Sequence, residues 1–392
     1  MKNSSIPWWR WIIGIDFFLI CQTVLYHYLP HFRGHRILLY PFNLGHENNL
    51  AAWWSGVCLF AAALLAYEIC CHSEVHLKKA WLCLAILLLG LSKDEICSLH
   101  ERIDGFRNLL PYAICAVTML TYSLIKLFKH PETRKSAIYI AFAFLLFGSV
   151  AFQEFLEHTV SWPDWMMGIR VGIEEGTELI GIFLLLVGIS RQNFFTSINS
   201  IQAIIPNLSR MKYISAFLII EFFIHSVAGF LFPLYFDVYR KGYGNPLLWY
   251  PMAVFFMLFS ESFWFAMTSD KTKRKVWILF PALFLLFSAG SVYNPFKLIF
   301  KLRYIMPDDL QILLFHVSII FVMIAFCWKF INTFAIKTII FVLLFSLIIF
   351  LEYSANNISW KFFLSGCFAY TTVHFFKSIL KEKNFTLKSA PL

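Results

Sequence analysis

Four short segments of the chain place acidic, histidine and amide side chains beside long apolar runs. Together they hold nine of the 23 Asp and Glu residues. Carboxylates and imidazoles act as ligands for transition metals and as general acids and bases. Inside a bilayer an ionised carboxylate is costly unless a metal, a cation or a proton neutralises it. The four segments are residues 46–49, 92–101, 153–158 and 174–178.

The spacing within three of these segments predicts shared helical faces. Residues three or four apart lie on the same side of an α-helix. We therefore expect Asp94, Cys97 or Ser98, and Glu101 to form one face, with His100 at its edge. The same spacing joins Glu154 to Glu157 or His158, and Glu174 to Glu178.

This pattern indicates a metal site built from facing helices, for which iron, manganese and zinc are the expected metals. No H-E-x-x-H motif is present, so the prediction depends on the constellation and not on a motif. Which acid serves as general base stays open. We predict Glu47, Asp94, Glu101 and Glu174 as catalytic residues, and Glu95, His100, Glu154, Glu157, His158, Glu175 and Glu178 as metal ligands.

A purely structural interpretation of the same residues is also available. Arg170 and Glu174 are four residues apart and could form an ion pair, and Lys93 could neutralise Asp94 or a glutamate of the sixth apolar run. The nearby cations are too few to pair with nine acids, which favours a shared positive ligand. The cations in question are Lys93, Arg102, Arg107 and Arg170.

Composition and the length of the apolar runs predict the elements that must position these residues. Of the 392 residues 59% are hydrophobic and 14% are charged, whereas about 25% are charged in soluble domains. Runs of about 20 apolar residues can cross a bilayer as helices. The expected fold is therefore an all-α integral membrane protein. We predict about twelve spans, near 11–30, 50–71, 80–100, 108–128, 137–159, 166–190, 213–235, 246–268, 276–297, 309–330, 336–353 and 358–379.

The arrangement of the spans divides the chain in two. A polar connector over residues 191–212 separates a six-span half, 1–190, which carries the acidic and histidine cluster, from a second six-span half, 213–392. Basic residues are about twice as frequent in the alternate loops that include the N-terminus, which predicts that both termini are cytoplasmic. The four polar segments then all lie toward the outer leaflet. We expect a multi-pass protein of the bacterial inner membrane that does not bind nucleic acid, because its cations flank spans and form no continuous basic face.

The motifs carry a limited resemblance to known families. Glu47-Asn48-Asn49-Leu50 with Trp53 and Ser55, then Asp94-Glu95 with His100-Glu101, then Glu174-Glu175 with Glu178-Leu179, resemble a pattern of uncharacterised bacterial multipass membrane proteins. That resemblance covers roughly the first half of the chain and implies no activity. The Glu-Asn-Asn run is also similar to alkaline ceramidase-type membrane hydrolases, whose C-terminal histidine pair is absent here, so no zinc ligands are carried over.

The function expected from these residues is metal-dependent catalysis on a lipid or lipid-linked substrate at the outer leaflet. A bound metal can generate a hydroxide or polarise a carbonyl or phosphoryl group. Two alternatives stay open: a cation- or proton-coupled transporter, whose carboxylates would line a route across the membrane, and a glycosyltransferase that uses a lipid-linked sugar.

Overall fold

The described part of the protein is entirely helical, as the sequence predicts. A computed structural model describes residues 7–28, 39–46, 49–98, 106–160, 162–192, 205–206, 249–268 and 279–292. The described residues contain no strand. They form eight α-helices: α1 (Trp8–Tyr28), α2 (Leu50–His72), α3 (Val75–Cys97), α4 (Phe106–Lys129), α5 (Pro131–Thr159), α6 (Met167–Ser190), α7 (Trp249–Thr268) and α8 (Leu279–Val292).

Five helices of the described part are long and apolar enough to cross a membrane, which makes this a membrane protein. They are α1 to α5, with α4 and α5 qualifying over Leu110–Lys129 and Pro131–Gln153. Helix α6 has 24 residues, a similar length, but it carries Arg170 and three glutamates in its first half. The total of twelve spans and the cytoplasmic termini stay predictions, and the predicted spans 213–235, 309–330, 336–353 and 358–379 lie outside the described residues.

Two helix boundaries differ from the predicted spans for local reasons. Helix α5 begins at Pro131 and not near residue 137, because proline is favoured in the first helical turn. Helix α3 ends at Cys97, and Ser98 adopts a left-handed backbone with φ of 48°. A residue in that conformation ends a helix. Of the face predicted from Asp94 through Ser98 to Glu101, Asp94 and Cys97 are on α3, Ser98 follows the helix end, and Glu101 lies outside the described residues.

Helix α2 is the centre of the bundle. A short turn at Ser73 and Glu74 joins it to α3, and it packs against α3, α6, α7 and α8. Small side chains allow this, because they let neighbouring helix backbones approach closely. Most of α2 is buried, including Ala51, Ala52, Gly56, Ala61, Ala62, Ala63 and Ala66.

Helix α6 presents two rows of glycines to two neighbours. Gly168, Gly172 and Gly176 face α1, where a Cβ on Gly172 would lie 2.6 Å from Cγ2 of Val24. Gly181 and Gly188 face α5 instead. Helices α1 and α6 run antiparallel, since the Tyr28 hydroxyl donates to the carbonyl of Trp165 at one end.

The bundle therefore has two distinct ends. At one end, α1, α3 and α5 finish while α2 and α6 begin. We call it the connector end, after the segment of residues 39–46 that precedes α2; this segment is not the predicted 191–212 connector. At the turn end, the Ser73–Glu74 turn lies beside His130, which separates α4 from α5. Gln192 confirms this arrangement, because its amide nitrogen donates to the carbonyl of Glu132 at the turn end. The described residues of all four polar segments lie toward the connector end.

Candidate functional site

The segment before α2, described at residues 39–46 and 49, folds back into the connector end of the bundle. The backbone N–H of Leu44 donates to Oγ1 of Thr23 over 2.8 Å. Thr23 lies five residues before the end of α1, a depth of about 7.5 Å. Gly45 packs so closely on Val171 of α6 that an added Cβ would approach its Cγ1 to 2.8 Å. Non-helical backbone therefore lies below the helix ends, where it requires protein partners or water for its polar groups.

Asn49 supplies many of those partners. Its side-chain oxygen accepts from the N–H groups of Ala51 and Ala52 at 2.8 and 2.9 Å, which caps α2. Its amide nitrogen donates to the carbonyls of Tyr40 and Asn43. Asn49 is fully buried. Its role in the Glu-Asn-Asn run is therefore to anchor the connector to α2.

His46 lies between two tyrosine rings in this connector. Its ring centroid is 5.5 Å from that of Tyr26 and 5.0 Å from that of Tyr40. Burial disfavours the imidazolium form and lowers the pKa of His46 from its ordinary value of 6.5. The connector therefore holds a neutral histidine at neutral pH.

This lowered pKa predicts a loss of stability in acid. The unfolded chain binds a proton at His46 more readily than the folded protein does. The contribution of neutral His46 to folding stability is therefore complete above pH 6.5 and is lost as pH falls through the lower pKa of the folded state. We expect the difference in thermal midpoint between pH 7.5 and pH 5 to shrink in His46→Phe, which preserves ring packing against Tyr26 and Tyr40. An equal difference in the wild type and the variant would contradict this.

Three successive residues of α2 bind three different helices near the same depth. The indole N–H of Trp53 donates to Oγ of Ser288 in α8 at 3.1 Å, and that of Trp54 donates to Oδ1 of Asp16 in α1 at 2.8 Å. The hydroxyl of Ser55 donates to Oε1 of Glu95 in α3 at 2.5 Å. Glu95, a predicted metal ligand, is thus bound to a buried serine at the α2–α3 interface.

Lys93 joins the N-terminal helices to α7. Its ammonium donates to the hydroxyl of Tyr250 at 3.1 Å and lies 5.7 Å from the ring centroid of Trp249. The indole N–H of Trp249 donates to Oγ of Ser92, which itself donates to the carbonyl of Gly56. Lys93 is only 9% exposed. Aromatic rings and a phenol therefore take part in solvating this lysine.

The acids of α6 are also near the connector end. Glu174 forms an ion pair with Arg170, with 3.4 Å between Oε2 and Nη1, and each side chain is 15% exposed. This pair was the structural alternative foreseen from the sequence. Glu175 and Glu178 are half-buried on the same helix, as is Asp94 on α3. Helix α2 packs against both α3 and α6, so it lies between these two acidic groups.

The described residues bring three possible metal ligands together at a different place from the predicted one. His76, His130 and Glu132 could hold a metal ion at the turn end, since one ligand atom from each lies within 4.8 Å of the others. No comparable group of three forms among the described acids of the connector end. The predicted site stays a prediction. The predicted catalytic residues Glu47 and Glu101, the predicted ligand His100, and the side chains of the predicted ligands Glu154, Glu157 and His158 lie outside the described residues.

Sequence reasoning missed two buried acids. Asp16 of α1 is 8% exposed and Glu68 of α2 is 4% exposed. Each stands alone within an apolar run, so neither spacing nor clustering marks it. The signal that could have identified them is the cost of an isolated carboxylate at membrane depth.

The comparisons with known proteins give one match. Residues 17–192 match a family described as a domain of unknown function, DUF8692. The matched region begins within α1 and ends two residues after α6, so it contains the connector and the polar residues of α2, α3 and α6. No curated protein and no solved structure matches the chain.

Proposed function

We propose that this protein is a membrane enzyme acting on a lipid or lipid-linked substrate at the connector end of the bundle. The observation that carries the proposal is the non-helical connector below the helix ends, which the Leu44–Thr23 hydrogen bond fixes. The Ser55–Glu95 pair lies toward the same end of the bundle. Structural membrane helices need no such segment, whereas substrate sites within membranes are commonly formed by broken or re-entrant backbone.

The chemistry of the described residues fits a substrate with an anionic head and an apolar tail. Glu95 accepts a hydrogen bond from the Ser55 hydroxyl, so its carboxylate is placed to take a proton from a hydroxyl group. Lys93 supplies a positive charge among aromatic rings, suited to a phosphate or carboxylate. The indoles of Trp53 and Trp54 offer apolar surface at the same depth.

The predicted metal is part of this proposal. Iron, manganese or zinc would supply Lewis-acid chemistry, held by the predicted connector-end ligands other than Glu95, which is assigned here to proton transfer. Glu47, Asp94, Glu101 and Glu174 stay the proposed catalytic acids. With the orientation inferred from the basic residues, the site opens toward the outer leaflet of a bacterial inner membrane.

A comparison of lipids before and after incubation tests the proposal. The full chain is placed in nanodiscs of total bacterial inner-membrane lipid, and the lipids are analysed by mass spectrometry. We expect the wild type to convert at least one lipid species, and Glu95→Gln to lower the rate about 100-fold, the usual minimum for loss of a general acid or base. Glu132→Gln, at the turn end, should retain the wild-type rate.

The outcomes separate the enzyme from other classes. Unchanged lipids with the wild type, or an equal rate in Glu95→Gln, would contradict the proposal. A folded Glu95→Gln protein is verified by an unchanged elution volume and thermal midpoint, so lost activity cannot be attributed to unfolding.

The buried acids Asp16 and Glu68 favour one second candidate, a cation- or proton-coupled transporter. Asp16 lies near the middle of α1, and Glu68 lies about one turn from the turn end of α2, so carboxylates occur at depths beyond the connector end. Proton carriers in transporters are commonly such intramembrane acids. Unchanged lipids combined with cation-driven uptake by vesicles containing the pure protein would support this candidate instead.

A further inference from the structure

We propose that His76, His130 and Glu132 form a divalent transition-metal site that joins the start of α3 to the turn between α4 and α5. This site is at the opposite end of the bundle from the proposed substrate site. It does not depend on the proposed function, because none of its three residues belongs to the predicted catalytic or ligand set.

The geometry is close to that of a bound ion. The rings of His76 and His130 face each other with centroids 4.2 Å apart and planes 34° from parallel. Nδ1 of His130 is 3.7 Å from Oε1 of Glu132. Metal–ligand bonds of about 2.0–2.2 Å place neighbouring ligand atoms a little over 3 Å apart. Small side-chain rotations would therefore complete the site.

A fourth residue occupies the position expected of an outer partner. Oε2 of Glu74 lies 3.3 Å from Nδ1 of His76. Glu74 is not within the group of mutually close ligand atoms. Metal-binding histidines commonly donate their second ring N–H to a carboxylate, which fixes the tautomer and the ring orientation. Glu74 therefore orients His76 so that Nε2 can bind the ion.

The donor set defines the class of metal. Two imidazoles and one carboxylate suit zinc, cobalt, nickel or copper, whereas calcium and magnesium prefer oxygen ligands. His76 and Glu132 are exposed and His130 is half-buried, so an ion can enter from solvent. Three protein ligands leave a further position for water or another ligand.

The consequence of binding is mechanical. His76 lies in the first turn of α3, His130 immediately precedes α5, and Glu132 lies in the first turn of α5. An ion shared by them would fix α3 relative to the α4–α5 turn. Since the separated chain segments of an unfolded protein offer no such preformed site, the ion would also raise the thermal midpoint.

Cobalt binding tests this site directly. The full chain, without a polyhistidine tag, is titrated with Co²⁺ in detergent while visible absorption is recorded, and the thermal midpoint is measured with and without Zn²⁺. We expect the variant His76→Ala/His130→Ala to bind one fewer Co²⁺ per chain and to lose the Zn²⁺-dependent rise in midpoint. Glu74→Gln should weaken binding about 10–100-fold, as expected for an outer partner.

His72→Ala is the matched control. His72 is an exposed histidine at the end of α2, and its Nδ1 is bonded to the carbonyl of Glu68. The His72→Ala variant should bind Co²⁺ with the stoichiometry and affinity of the wild type. No saturable Co²⁺ binding by the wild type, or equal stoichiometry in the double histidine variant, would overturn the proposal. Glu95→Gln should lose lipid conversion but keep this Co²⁺ site. Lipid conversion therefore tests the proposed enzyme, and Co²⁺ binding tests the metal site independently.

Discussion

Gly56→Leu is expected to destabilise the bundle by about 3 kcal/mol, the upper part of the usual range for overpacking. An added Cβ on Gly56 would lie 2.5 Å from Cδ1 and 2.7 Å from Cγ1 of Ile96. Ile96 is fully buried, so it has little room to move away. The α2–α3 interface must therefore separate to admit the leucine.

That separation would also disturb the polar network. The carbonyl of Gly56 accepts the hydroxyl of Ser92, which in turn receives the indole N–H of Trp249. We expect the thermal midpoint of Gly56→Leu in detergent to fall, together with any lipid conversion.

Gly90→Leu provides the control for this effect. Gly90 lies on α3, the partner of α2 in the same interface, and a Cβ there meets nothing within 4 Å. Removal of a helical glycine stabilises a helix by up to about 1 kcal/mol. The thermal midpoint of Gly90→Leu should therefore equal or exceed that of the wild type. Equal losses in Gly56→Leu and Gly90→Leu would show that close packing at Gly56 is not the cause.

Asn49→Ala is expected to cost about 2–4 kcal/mol. The loss of a helix cap costs about 1 kcal/mol, and each buried carbonyl left without its donor costs about 1–3 kcal/mol. The buried carbonyl at stake is that of Asn43, whereas the carbonyl of Tyr40 is only partly buried. Thermal unfolding and limited proteolysis of the connector measure the effect.

Two variants separate the contributions of Asn49. Asn49→Ser keeps a cap acceptor for α2 but cannot reach both connector carbonyls, so it should lie between alanine and the wild type. Glu74→Ala changes the residue before α3, which makes no side-chain cap hydrogen bond, and should alter stability by less than about 0.5 kcal/mol in metal-free buffer. A wild-type midpoint for Asn49→Ala would contradict the anchoring role.

The helices were the most predictable part of this protein. An apolar run in a bilayer has one open way to satisfy its backbone, so length and composition alone indicate where α1 to α5 lie. Local spacing also located the Arg170–Glu174 pair, because residues four apart on a helix are always neighbours. Spacing did not indicate where α3 ends, which is at a left-handed residue, Ser98.

The partners of the polar residues were not predictable. Lys93 is bound by Tyr250, which is 157 positions away, and Glu95 is bound by Ser55, 40 positions away. His76 and His130 meet only because the α2–α3 and α4–α5 turns share one end of the bundle. Helical periodicity describes one segment at a time and contains no information about which faces of different helices meet.

The sequence by itself determined that this chain is an all-α membrane protein with acids concentrated at certain helix ends, because burying backbone in lipid permits few alternatives. Tertiary structure decided which groups on other helices those acids contact, how deeply the connector enters the bundle, and where two histidines face each other. These features depend on side-chain packing between segments distant in the chain, and such packing is determined jointly by all the helices.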